Sequence, residues 1–232
     1  MSAYLRCSPV RGRCAVPETQ RKPRALIVDY GGVLTNPLSD TMGAWCESDG
    51  IEVDDFLDVM RDWLGSDAEH NPVYALESGR LAIPDFERQL AARLRTRDGQ
   101  PVPAEGLLAR MFAGFEHEPA MADVVRRAKA HGIKTGLLSN SWGMDYPREN
   151  WPEMFDAVVI SGEVGMRKPD PEIYDYAAKL LDVVPEECVF VDDLGPNVKG
   201  AAAVGMVGVR HITPAETIAE LEILFGVSLR GG

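Results

Sequence analysis

Five short apolar runs constrain this chain most: Ala25–Val28, Ile133–Leu138, Ala157–Ile160, Cys188–Val191 and Met206–Val209, with helix-patterned stretches between them. Each is too short for an ordinary helix and rich in β-branched residues, the pattern of a strand buried on both faces. Such strands belong to a parallel sheet whose crossovers are helices, so an α/β fold is expected. The 232 residues and 45% hydrophobic content suffice for one such domain carrying a smaller insertion.

Between the first two strands lie about 80 residues, from Asn36 to Glu118, holding apolar-periodic stretches such as Phe56-Leu57-Val59-Met60-Trp63-Leu64 and Phe86-Leu90-Leu94. These suit amphipathic helices. The break at Ser78-Gly79-Arg80-Leu81-Ala82-Ile83-Pro84 places Pro84 in the first turn of a further helix. A helix over Ala120–Ala130, ended by Gly132, leads into the second strand. Residues 1–23 carry most of the N-terminal basic residues and no apolar periodicity, and are expected to be a disordered tail. The organisation expected is a core over 24–36 and 119–232 with a helical cap over 37–118.

A net charge of −12 argues against general nucleic-acid or membrane-surface binding. Arg6, Arg11 and Arg13 interrupt every run that could serve as a signal peptide, and none approaches a membrane span. Four cysteines without scaffold density fit a reducing cytoplasm, and the four histidines show no zinc spacing. Trp142, just beyond Ser139-Asn140, is the tryptophan expected to face a cleft.

Four segments at or just beyond strand ends could carry chemistry. Asp29 closes the first strand ahead of Gly31-Gly32, where open α/β sheets bind ligands. Ser139-Asn140 closes the second, where a hydroxyl and backbone N–H groups can hold phosphate oxygens. Lys168 is fixed on a turn by Pro169-Asp170-Pro171 and can neutralise a carboxylate and a phosphate together. Asp192 and Asp193 follow the fourth strand; two adjacent buried carboxylates repel unless a cation or hydrogen bonds compensate them, a hard divalent metal is the economical explanation, and Mg²⁺ suits few carboxylates plus substrate phosphate. Taken singly, each has a plainer alternative: a turn-capping Asp, a Ser-Asn turn, a solvated Lys, a pair of surface turn aspartates.

Taken together and in this order, the four segments closely resemble the motifs of the haloacid dehalogenase superfamily over about residues 24–225. Asp29-Tyr30-Gly31-Gly32-Val33-Leu34-Thr35 and the Ser78–Phe86 segment are similar to the phosphatase-like domains related to the amino-terminal half of soluble epoxide hydrolase. The resemblance implies a three-layer, Rossmann-like α/β core with an inserted α-helical cap, and a Mg²⁺-dependent phosphatase acting on a small phosphorylated metabolite. It further implies Asp29 as nucleophile and metal ligand, and Gly31 as donor of a backbone carbonyl to Mg²⁺. Ser139, with Asn140 beside it, would bind the phosphoryl group. Lys168 would bridge phosphate and Asp29, and Asp193, supported by Asp192, would complete the metal site.

Two positions depart from the family pattern. Gly31 stands where family phosphatases usually carry a second Asp, the acid that protonates the leaving group; its loss typically costs about 10²- to 10⁴-fold. A slow enzyme, one preferring good leaving groups, or one using a cap or substrate acid is expected. Asn197 stands where many relatives carry an acid supporting the metal. The competing reading is a catalytically weak or inactive member that binds a phosphorylated ligand or protein partner. Dehalogenation fits less well, since the Asp192-Asp193 pair is superfluous for it, and phosphonate cleavage lacks a cap lysine over 41–95. Substrate identity and oligomeric state, a homodimer included, stay open.

Overall fold

The computed structural model describes residues 22–66, 70–143 and 145–231, so the tail expected over 1–23 falls almost wholly outside them. Five parallel strands, β1 (Ala25–Val28), β2 (Lys134–Ser139), β3 (Ala157–Ile160), β4 (Cys188–Asp192) and β5 (Val207–Arg210), form one sheet in the order β3-β2-β1-β4-β5. β1 is central, with Val28 level with Leu137 on one side and Val191 on the other. The ladder runs one residue past two of the apolar runs. Ser139 pairs with Ile160 and Asp192 with Arg210, so β2 and β4 end on polar residues and β5 begins at Val207. Backbone pairing, not side-chain polarity, sets where a strand stops.

Burial on both faces explains why β1 is apolar throughout. Leu26 and Val28 pack with Met121, Val124 and Val125 of α6 (Pro119–Ala130) and with Leu221 and Phe225 of α11 (Pro214–Phe225). Ala25 and Ile27 face the opposite layer, with Ile173 and Ala177 of α9 (Pro171–Leu180) and Ala201 of α10 (Gly195–Ala203). Three layers result, helices on both sides of the sheet. Gly132, at φ 77°, ends α6 as expected, in a conformation that L side chains rarely adopt. α9 starts at Pro171, one residue before the expected Glu172, because proline is suited to the first helical turn.

The inserted segment forms α1 (Leu38–Ser48), α2 (Val53–Leu64), α3 (Pro72–Glu77), α4 (Ile83–Arg93) and α5 (Leu107–Met111). These helices share a hydrophobic cluster of their own, built on Phe56, Trp63, Phe86, Leu90 and Met111. On α2 the buried residues Phe56, Val59, Met60 and Trp63 follow helical spacing. Leu57 and Leu64 stay 44% and 49% exposed, and line a cleft together with Phe56 and Met60. The segment leaves and returns through a paired neck: Asn36 N–H donates to Glu116 O and Glu118 N–H to Leu34 O, both at 2.9 Å. Two short helices, α7 (Trp151–Met154) and α8 (Ser161–Val164), flank β3. Among the described residues no helix is long and apolar enough to cross a membrane.

Candidate active site

Because β1, β2 and β4 run parallel in register, their carboxyl ends bring Asp29, Ser139 and Asp192 to one edge of the sheet. Lys168 reaches the same edge from the loop before α9. Its side chain is wholly buried, with Nζ 2.8 Å from Asp29 Oδ1 and 2.6 Å from Asp192 Oδ2. Two carboxylates and their Coulomb attraction hold the ammonium charged, above its ordinary range, although burial opposes this. Asp29 Oδ1 also accepts from Tyr30 N–H at 2.7 Å. Burial pushes the Asp29 carboxyl up, Asp192 and Asp193 add to that, and Lys168 pulls it down.

Asp29, Asp192 and Asp193 each place an oxygen within 4.8 Å of the others. The three are not equivalent. Asp192 is fully buried and its oxygens are engaged by Lys168, by Leu194 N–H at 2.7 Å and by Asn197 Nδ2 at 3.1 Å. Asp193 Oδ1 is buried and has no hydrogen-bond partner among the described residues. An orphaned carboxylate oxygen beside two other hard oxygen donors fits a small divalent cation. Asn197, 5% exposed, donates to Asp192, which an acid at that position could do only when protonated.

The two turn glycines differ. A Cβ on Gly32, which sits at φ 72°, would lie 2.5 Å from Asp193 Oδ2, so only glycine lets the turn approach that carboxylate. Gly31 has no such constraint: a Cβ there would meet Leu38 Cδ2 at 3.5 Å, an ordinary contact. Ser139 is 3% exposed, and its Oγ lies 3.0 Å from the hydroxyl of Tyr146, whose pKa burial pushes up to about 12. Asn140 accepts from Lys168 N–H at 2.9 Å and donates to Lys168 O at 3.0 Å. All seven expected site residues, Asp29, Gly31, Ser139, Asn140, Lys168, Asp192 and Asp193, therefore gather at this edge.

The family model for haloacid dehalogenase-like hydrolases matches residues 23–205, which hold every one of these positions. The chain belongs to the haloacid dehalogenase-like hydrolases. Among relatives in this family, a sesquiterpene phosphatase of Aspergillus oryzae is 30% identical over 211 residues, covering 88% of this chain and 97% of the fungal protein. Mouse bifunctional epoxide hydrolase 2 is 36% identical over 222 residues, 88% of this chain but 39% of the mouse protein. Mouse acyl-CoA dehydrogenase family member 10 is 34% identical over 221 residues, 91% of this chain and 20% of that protein. The chain thus spans well under half of these two mouse proteins. The fold is shared with a haloacid dehalogenase family enzyme of Bacteroides thetaiotaomicron in a magnesium complex, at TM-score 0.61 and 20% identity over 82% of this chain and 94% of that one.

In this hydrolase the polar edge opens into a cavity of about 610 Å³ beneath the inserted helices. Asp29, Ser139, Asn140 and Lys168 lie at one end; Met42, Phe56, Met60, Leu64, Phe112 and Phe115 line much of the remainder. Trp142 lines it too, as its place in the sequence led us to expect. Three residues went unassigned from sequence: Tyr146 beside Ser139, and Glu77 and Arg167, whose side chains meet at 2.7 Å. A charged residue closing a short apolar helix was the available signal for Glu77.

Asp193 offers a test, independent of turnover, of whether this carboxylate cluster holds a divalent cation. Burial, with Asp192 adding to it, raises its folded pKa from 3.8 to about 6. The folded state therefore binds the extra proton between these values, and the metal-free protein loses stability as pH rises through them. At pH 7.5 we expect Asp193→Asn to raise the metal-free melting temperature, and Mg²⁺ to raise that of the wild type further but not that of the variant. A wild-type melting temperature indifferent to Mg²⁺ would contradict the assignment.

Proposed function

We propose that this protein is a Mg²⁺-dependent phosphatase that transfers the phosphoryl group of a small phosphorylated metabolite to Asp29 and then hydrolyses the aspartyl-phosphate. The observation that carries this reading is Lys168 Nζ at 2.8 Å from Asp29 Oδ1 within a buried site. Tyr30 N–H and Lys168 both address Oδ1, so Oδ2 keeps its lone pairs for the incoming group. Ser139 Oγ, steadied by the Tyr146 hydroxyl, and Lys168 would hold the phosphoryl oxygens. Asp29, the Gly31 backbone carbonyl and Asp193 would hold Mg²⁺, with Asp192 behind them orienting Lys168. When bound, Mg²⁺ supplies charge neutralisation to the transferring group.

The substrate, in this reading, is the phosphate of an apolar alcohol. Support comes from the largely apolar wall beyond the polar end of the chamber, and from a relative named as a sesquiterpene phosphatase that matches almost end to end. The two buried, unpaired thiols Cys46 and Cys188 suit the cytoplasm in which we place the protein. Gly31 favours a second reading, a catalytically weak or inactive protein that binds a phosphorylated ligand or partner. Glu77 is the one carboxyl besides Asp29 among the described residues lining the chamber. Both its oxygens already accept hydrogen bonds, an arrangement suited to an acceptor and not to a leaving-group acid.

Two measurements test this. With no acid at Gly31, turnover of aryl phosphates is expected to fall steeply as the leaving-group pKa rises, and Gly31→Asp to flatten that dependence. A Mg²⁺-loaded wild type that hydrolyses no aryl phosphate selects the second reading. Along a series of primary alkyl phosphates, kcat/KM is expected to climb about three- to fourfold per added methylene until the chamber is full, each burying about 0.8 kcal/mol. A flat series would reject the apolar substrate.

A further inference from the structure

Glu77, a buried carboxylate at the polar end of the chamber, has no part in the phosphoryl chemistry just described. It is the last residue of α3, in the inserted helices, and is 7% exposed. Its Oε2 accepts from Arg167 Nε at 2.7 Å and from Asn140 Nδ2 at 3.2 Å, and its Oε1 from Trp142 Nε1 at 3.0 Å. All three donors belong to the core, on the loops that follow Ser139 and precede Lys168. The Arg167 guanidinium also stacks 3.7 Å over the ring of Tyr74, one turn earlier on α3. Ser161 Oγ donates to the Glu77 backbone oxygen at 2.5 Å and accepts from Ser141 N–H at 2.7 Å. Just beyond, a Cβ on Gly79 would lie 2.7 Å from Gly162 O, so the two chains meet there at backbone distance.

Asn140 links this junction to the reacting groups. The side chain that donates to Glu77 also holds both backbone polar groups of Lys168, and it directly follows Ser139 in the chain. The two N–H bonds of the Asn140 amide go one to Glu77 Oε2 and one to Lys168 O while its Oδ1 accepts from Lys168 N–H, so a single planar group spans the two residues and a shift of Glu77 is felt at Lys168. Arg167, the other principal partner, is the residue immediately before Lys168. Lifting the inserted helices would leave Glu77 and Arg167 buried charges without partners unless water reached both, which gives the contact a made and a broken state and little between.

We propose that Glu77 is a positioning residue: seated on Asn140, Trp142 and Arg167, it registers the inserted helices over the sheet and thereby fixes Lys168 and Ser139, so that the phosphoryl site is complete only with the helices down. The proposal rests on the phosphatase reading. It places the coupling between substrate enclosure and chemistry at one carboxylate outside the reacting set.

Glu77→Gln keeps the shape but sets an NH₂ against a donor whichever way the amide turns, Arg167 and Asn140 on one side or Trp142 on the other. With saturating Mg²⁺ and an aryl phosphate, we expect kcat to fall about ten- to hundredfold, as for partners one step removed from a reacting group. The inhibition constant of orthovanadate, which mimics the five-coordinate transferring group, should rise by a similar factor while KM moves less than about threefold. Hydrogen exchange gives a readout free of turnover: the Lys168 amide, bonded to Asn140, should lose protection in Glu77→Gln, while the Leu26 amide in β1 keeps its own. A merely structural Glu77 would lower the melting temperature and leave kcat, vanadate inhibition and Lys168 protection unchanged, and that result would overturn the proposal. Arg167→Lys, which keeps the charge but loses the stacked fork, should reproduce the three effects if Glu77→Gln does not fold. If the wild type turns over no aryl phosphate the phosphatase reading fails, and Lys168 protection alone then decides the role of Glu77.

Discussion

The bridge of Lys168 between Asp29 and Asp192 is the interaction on which the rest of this structure depends. Three carboxylates converge at the ends of β1 and β4, and Lys168 is the one ammonium buried with them among the described residues, so ionising all three would leave more negative charge than the site itself balances. Such a cluster is costly unless water, donors or a cation relieve it. Asn197 and Leu194 N–H relieve Asp192, and Tyr30 N–H relieves Asp29, but Asp193 keeps an orphaned oxygen. The sheet thus concentrates negative charge where a divalent cation and a phosphoryl group together would balance it. The order of strands serves that end: the central position of β1 puts Asp29 between β2, which carries Ser139, and β4, which carries Asp192.

Much of this was legible in sequence, for a definite reason. Strands buried on both faces must be apolar along their whole length, so Ala25–Val28 and Cys188–Val191 announce themselves, and a polar residue just after such a run lies at a strand end. Asp29, Ser139 and the Asp192-Asp193 pair follow from that rule, and the proline-held turn at 169–171 pointed to Lys168. What the chain does not display is contact across distance. Tyr146 meets Ser139 seven residues away, and Glu77 meets Asn140 and Arg167 across 63 and 90 residues; no local periodicity encodes either. Leu57 and Leu64 continue the apolar pattern of Phe56 and Met60, and all four line the chamber, because a helix that roofs a chamber shows apolar residues on more than its core side.

Asn197 and Gly31 show how departures from a family pattern read once the geometry is known. From sequence, Asn197 was a weakened metal support; in the fold it is a donor that quiets the charge of Asp192. Gly31 and its neighbour look alike in the sequence but answer to different constraints. Gly32 is demanded by its positive φ and by the closeness of Asp193, whereas a Cβ at Gly31 would make only ordinary contact with Leu38. The backbone therefore does not require glycine at the position of the missing acid, and its absence is a chemical property of this chain.

The central claim is that Asp29 becomes phosphorylated. Mixing the Mg²⁺-loaded protein with an aryl phosphate, quenching in acid and weighing the peptide that carries Asp29 tests it most directly. The expected result is one added phosphoryl group on Asp29 in the wild type and none in Asp29→Asn, which should also release no phosphate. Turnover that leaves Asp29 unmodified at every quench time, and that persists in Asp29→Asn, would contradict it.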